Sequence, residues 1–261
     1  MFIPGPPLIC IPTTAGSSAD VSQFAIINDT ARSVKIAVIS KAMVPDAALI
    51  DPRTTTTMPA ALTAATGIDA LVHAIEAYVS TASSPVTDLH ALEAVRRISA
   101  SLVGAIRHPD ELAYRDSMTL GSMLAGLAFS NASLGLVHAM AHSLGGFLDL
   151  PHGVCNALLL ERVVEFNFES AAERYASLAL AFGVDVAGKP SAEQKKLFVE
   201  ALYALRLAVG LGHGLADLGV KEADIPQLAR NAFADPCLVT NPVQPTIADI
   251  EQIYERALET R

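Results

Sequence analysis

The sequence has no tryptophan, and its aromatic residues make up only 5% of 261. A core without large rings is built from Ala, Leu, Ile and Val, and apolar residues at 51% supply enough of them for closely packed helices. Cations are scarce too. Eighteen Lys and Arg face 27 Asp and Glu, for a net charge of −9 with no basic cluster. That balance excludes a nucleic-acid partner, which needs basic patches to displace counterions. Cysteine is limited to Cys10, Cys155 and Cys237, an odd and widely spaced set with neither a disulfide framework nor a CxxC site, so a reducing cytoplasm is the expected setting. The N-terminus lacks the basic start and continuous apolar core of a secretion signal. Residues 117–148 lack Asp, Glu, Lys and Arg over a length that could cross a bilayer. They carry His138, His142, Asn131 and several Ser and Gly, however, and Asn131-Ala-Ser133 reads as a helix break. A buried helix pair is therefore expected, with no membrane partner.

The length allows one large domain or two small ones. The pattern places a β-rich segment at 1–52 and an all-helical one at 53–261, a mostly α protein. Residues 8–11, 24–27, 34–39 and 47–50 are short, apolar and β-branched, bounded by Pro, Gly, Asn and Asp. Four short strands without intervening helices do not make a stable parallel sheet, so the chain reads as beginning inside a fold. Beyond Pro52, Ala and Leu recur at helical spacing. Ser84-Pro85 marks a helix start. Ser170 with Glu173 and Ser191 with Gln194 have capping-box spacing, and Thr246 with Asp249 is a looser version.

Four of the seven histidines form an informative pattern. Asp69 and His73 stand at i and i+4, one above the other on a helix face. His138 and His142 repeat that spacing. His152 follows between Pro151 and Gly153, which suggest a turn. Two helix faces and a turn can converge on one point, and a cation there would offset the cost of burying a carboxylate with imidazoles in an uncharged region. The donor set suits Fe²⁺, Zn²⁺, Mn²⁺ or Co²⁺. Spacing alone does not choose between His138 and His142. Glu76, one turn beyond His73, reads equally well as a support for the ligands or as surface. His90, His108 and His213 read as solvated. Gly210, Gly212 and Gly214 read as a loop between helices, because they follow no strand. Ser17-Ser18 does not centre a GxSxG elbow, so a serine hydrolase finds no support.

These motifs resemble the iron-containing (group III) alcohol dehydrogenases. The matching stretches are Ile-Pro-Thr-Thr-Ala-Gly at 11–16, Ala-Ala-Thr-Gly-Ile-Asp-Ala-Leu-Val-His-Ala-Ile-Glu-Ala-Tyr at 64–78 and Gly-Leu-Val-His-Ala-Met-Ala-His at 135–142, then Leu-Pro-His-Gly-Val-Cys-Asn-Ala at 150–157 and Thr-Asn-Pro at 240–242. The resemblance implies that Asp69, His73, His138 and His152 hold Fe²⁺, with Zn²⁺ as an alternative. It implies that His142 is catalytic, beside the nicotinamide and substrate, and that Thr13, Thr14, Ser17 and Lys35 lie against an NAD(P) cofactor. It also implies that 1–52 is the end of a dinucleotide-binding domain and 53–261 the metal domain. Two departures stand out. The family's Gly-Gly-Gly-Ser motif and the elements that carry it are absent, which weighs against NAD(P) binding by this chain. Ser17-Ser18-Ala19-Asp20 replaces the usual Thr-Gly-Ser-Glu, and Ser143 stands where Pro is common, which points toward a divergent branch such as the alcohol dehydrogenase-like regulatory proteins.

The implied activity is NAD(P)-linked oxidation of a small primary alcohol, or reduction of an aldehyde, with a homo-oligomer left open. The rivals are a non-catalytic metal-binding or regulatory chain and, less supported, a metal-dependent hydrolase.

Overall fold

The computed structural model describes residues 6–29, 31 and 34–259. Its strands fall into two separate pairs. β1 (Ile9–Cys10) runs parallel to β4 (Ala47–Ala48), with Ile9 opposite Ala47. β2 (Phe24–Asp29) and β3 (Val34–Ile39) form an antiparallel hairpin, with Phe24 opposite Ile39. β1 and β4 are shorter than the sequence suggests. Pro7 and Pro12 bracket β1, and neither has an N–H to extend the ladder.

Nine α-helices follow among the described residues: α1 (Ala60–Val79), α2 (Pro85–Arg107), α3 (Leu112–Ala132), α4 (Leu136–Leu148), α5 (His152–Asn167), α6 (Ala172–Phe182), α7 (Ser191–Ala208), α8 (Ile225–Phe233) and α9 (Ile247–Leu258). α1 is the central one. It is buried on every side from Gly67 to Val79 and packs against α2, α3 and α5, as expected of a helix whose small and aliphatic residues run all the way round. Ser84 starts α2 through a capping box with Thr87, and Thr246 starts α9 through one with Asp249.

The other two expected caps do not form. Phe168 is fully buried and carries the chain from α5 through a 3-10 turn into α6, so Ser170 never reaches a free helix start. Pro190 is the cap residue of α7, with Ser191 already inside the helix. The uncharged stretch is a bent pair, with α3 and α4 meeting at 99° around Ser133, whose φ is +64°. No single helix among the described residues is long and apolar enough to cross a membrane. The glycine-rich segment after α7 is irregular, and the Arg206 guanidinium braces it by donating to the Leu211 and His213 carbonyls and to Glu161. His213 is therefore half-buried, its Nε2 enclosed without a partner, contrary to the expectation of a solvated ring. His90 is also half-buried, whereas His108 is exposed.

The hairpin is fastened to α3. Gln23 donates its backbone N–H to the Ser130 hydroxyl oxygen and its side-chain amide to the Ser130 carbonyl. Ser18, at φ +53°, donates its hydroxyl to Ser122 O at 2.6 Å. A Cβ on Gly126 would lie 2.5 Å from the Ser18 Cβ, so glycine is what lets the loop sit this close to α3. These anchors hold β2 and β3 as a cover over one end of the helices.

Candidate metal centre

α1 supplies Asp69 and His73, one turn apart on one face and both buried. α4 supplies His138 from its first turn, and α5 supplies His152 as its first residue. His152 thus sits on a helix end instead of in the expected turn. Pro151 precedes it as cap residue, which suits a helix start. A Cβ on Gly153 would meet Ala65 O at 2.4 Å, so the glycine lets the start of α5 lie directly on α1.

The three Nε2 atoms surround one oxygen. Asp69 Oδ1 lies 3.9 Å from His73 Nε2 and 3.6 Å from the Nε2 of both His138 and His152. These separations are too long for hydrogen bonds. Donor atoms about 2.1 Å from a shared tetrahedral ion are about 3.4 Å apart, which is close to what is seen. The donor atoms of Asp69, His73 and His138 all fall within 4.8 Å of one another, and His152 joins them through Asp69. Asp69, His73 and His138 fit a divalent cation on geometry and donor chemistry alike, with His152 beside them on the same carboxylate oxygen.

Electrostatics agree. Burial alone would raise the Asp69 pKa, but His73, His152 and His138 outweigh it and hold the carboxyl well below its ordinary range. Burial lowers His73 to about 4 and His152 well below its usual value, which leaves neutral rings of the kind that bind metals. Burial also opposes a proton on His138, yet Asp69 and Glu76 on either side carry it up to about 9. The site favours positive charge at its centre.

Several contributors carried no decisive signal in the sequence. Glu76 is buried, its Oε1 accepting from Val137 N at 2.6 Å and its Oε2 lying 2.7 Å from His138 Nδ1. Asn156, one turn beyond His152, donates to Asp69 Oδ1 at 2.6 Å. Asn241 accepts from Leu136 N and exchanges two hydrogen bonds with Asn167, which accounts physically for the Thr-Asn-Pro stretch. Asp235 Oδ2 lies 2.9 Å from His142 Nδ1, while its Oδ1 accepts from Cys237 N. His142 is therefore held through Nδ1 by Asp235, although it shares a helix face with His138. Ser143 donates to Leu228 O and ties α4 to α8.

The cluster opens into a cavity of about 510 Å³ beneath the hairpin. Ser17, Phe24, Lys35, Phe129, Leu134 and His142 line it together with all four acid and imidazole residues. Phe129 stacks on His73 with ring centres 4.3 Å apart. Burial lowers the pKa of Lys35. Of the residues expected near a cofactor, Ser17 and Lys35 thus join the cavity. Thr13 and Thr14 are not among its lining residues, Thr13 being exposed and Thr14 half-buried.

The sequence profile of the Fe-containing alcohol dehydrogenase family, C-terminal part, matches residues 63–258, and that of iron-containing alcohol dehydrogenase matches 3–52. The chain belongs to the iron-containing alcohol dehydrogenase family. This family member is 41% identical to the NAD-dependent methanol dehydrogenase of Bacillus methanolicus over 97% of its own length and 66% of that protein's. It is 45% identical to alcohol dehydrogenase 4 of Saccharomyces cerevisiae over 97% of itself and 65% of the relative. It therefore spans about two thirds of these relatives' length. Among solved structures it superposes on a 1,3-propanediol oxidoreductase with a TM-score of 0.95 at 39% identity, covering 98% of this chain and 67% of that one. A sulfoacetaldehyde reductase from Bifidobacterium kashiwanohense in complex with NAD+ gives 0.87 at 28% identity, covering 98% and 65%. The mostly helical architecture with a small β part agrees with that family.

Proposed function

We propose that this iron-containing alcohol dehydrogenase family member is the metal-binding part of an NAD(P)-linked enzyme that oxidises a small primary alcohol or reduces an aldehyde, with Fe²⁺ held by Asp69, His73, His138 and His152. The supporting observation is the convergence of three Nε2 atoms on Asp69 Oδ1 at the floor of a partly apolar cavity. Bound there, the ion supplies Lewis-acid polarisation of a substrate oxygen, and a nicotinamide supplies a hydride acceptor.

The chain's own residues do the rest. Phe24, Phe129 and Leu134 give the cavity an apolar wall that holds a short alkyl chain and limits water. Asp235 engages Nδ1 of His142 and leaves Nε2 as the atom that takes the hydroxyl proton. Lys35 and Ser17 are the inferred cofactor contacts, with Thr13 and Thr14 just before Ser17 in sequence. The division we infer is a dinucleotide-binding part at 1–52 and a metal-binding domain at 53–261. The setting we infer is a reducing cytoplasm, in keeping with three free cysteines.

The test is anaerobic reconstitution of the purified chain with Fe²⁺, followed by NAD+ and NADP+ reduction assays with short primary alcohols. Wild type should turn over, and His138→Ala should lose both metal and turnover. Intact metal content and activity in His138→Ala would refute the reading. Because the chain spans about two thirds of its relatives, a second reading is a metal-binding or regulatory chain without turnover. Stoichiometric metal with no measurable NAD+ or NADP+ affinity would favour it.

A further inference from the structure

Glu76 lies seven residues after Asp69 and three after His73 on α1, so all three side chains share one stripe of the helix. It is a buried acid, 4% exposed, and both its oxygens are engaged by α4. The bond to Val137 N satisfies one of the free N–H groups at the start of that helix. The other contact faces His138 Nδ1 at 2.7 Å. A ring nitrogen that close to a carboxylate oxygen carries the hydrogen, and a neutral imidazole with Nδ1–H keeps its lone pair on Nε2. That Nε2 is the atom 3.6 Å from Asp69 Oδ1. The opposite tautomer would aim an N–H at the cation and leave the Glu76 oxygen facing a lone pair.

The approach is built into the backbone as well. A Cβ on Gly135 would come within 3.0 Å of Glu76 Oε1 and 2.9 Å of Asn241 Oδ1. Glycine at that position lets the two side chains grip the first turn of α4 together, on Leu136 N and Val137 N.

We propose that Glu76 is a positioning residue of the metal centre: it fixes His138 as the Nδ1–H tautomer and seats the first turn of α4, so that Nε2 is presented to the ion. The proposal rests on the metal reading above and adds a requirement to it. A buried acid with no hold on His138 or its helix turn would govern stability and leave metal affinity alone. A carboxylate that orients a ligand governs affinity, typically by about 10- to 100-fold.

Two measurements on the full chain test this. Zn²⁺ affinity, by competition with a chromophoric chelator, is compared between wild type and Glu76→Gln, with thermal melting of both metal-free proteins alongside. The expected result is one Zn²⁺ per wild-type chain and an affinity about 10- to 100-fold weaker in Glu76→Gln, which still melts cooperatively. The second measurement needs no variant to fold. In the zinc-loaded wild type, histidine-selective ¹⁵N NMR should show Nδ1 of His138 protonated and Nε2 ligated. Equal affinity in Glu76→Gln, or metal on Nδ1 of His138, overturns the proposal while leaving the metal reading standing. A wild-type chain that takes up no ion defeats the metal reading first, and this proposal with it.

Discussion

Nδ1 of His142 and Oδ2 of Asp235 lie 2.9 Å apart, joining α4 to the 3-10 turn at Pro236–Thr240. That bond separates two histidines that share a helix face and the same i, i+4 spacing. His138 faces Asp69, and His142 faces Asp235. His142→Ala should therefore keep one divalent ion per chain, whereas His73→Ala should not. In a reconstituted active enzyme the same substitution should lower kcat by about 100-fold or more, the usual scale for losing a general acid or base. Metal analysis of the two variants checks the assignment, and an ion lost from His142→Ala but kept in His73→Ala would reverse it.

Gly153 concerns distance between helices. Any side chain there strikes the Ala65 carbonyl, so Gly153→Ala must lift the start of α5, and His152 with it, away from α1. The expected cost is about 1–3 kcal/mol of stability, as for other overpacked contacts, together with a marked loss of metal affinity. Urea denaturation and chelator competition read the two effects. Wild-type affinity in Gly153→Ala would mean that His152 is not held by this contact.

Asn241 is a buried hub. Its side chain bonds Leu136 N, both ends of the Asn167 amide and Val243 O. Asn241→Ala strands several buried partners at once, at about 1–3 kcal/mol for each one left unsatisfied. A fall of at least about 2 kcal/mol in urea unfolding free energy is expected, and a change near zero would show that water replaces the side chain without loss.

The three thiols should behave differently. Burial pushes Cys155 up to about 12 and Cys237 well above the ordinary thiol range, and the Asp235 carboxylate adds to the effect on Cys237. Thiolate is the reactive form, so at pH 8 the native chain should show one fast-reacting thiol with DTNB, Cys10, and three in urea. Rapid reaction of more than one native thiol would mean that the helical core opens.

Part of the candidate site was legible because Asp69 and His73 fall at helical spacing. Asp69 with His73 needs only the 3.6-residue turn to be read, and the change from strands to helices near Pro52 follows from composition. The supporting residues were harder for a physical reason. Glu76 and Asn156 reach His138 across 62 and 18 residues of chain, Asp235 reaches His142 across 93 and Asn241 reaches Leu136 across 105, and nothing local to a buried Glu or Asn distinguishes it from an exposed one. His152 reads as a turn in the sequence because Pro and Gly punctuate turns and helix starts alike, and only the Gly153–Ala65 contact separates the two. The caps at Ser170 and Ser191 failed because a buried Phe168 and the preceding Pro190 set those boundaries, which outweighs a weak local signal.

The most direct measurement is anomalous diffraction from crystals of the full chain grown with Fe²⁺ or Zn²⁺. A single strong peak per chain is expected, about 2.1 Å from Asp69 Oδ1 and from Nε2 of His73, His138 and His152, with His142 outside the coordination sphere. A peak elsewhere in the molecule, or one at this site that includes His142 and omits His152, would contradict that assignment.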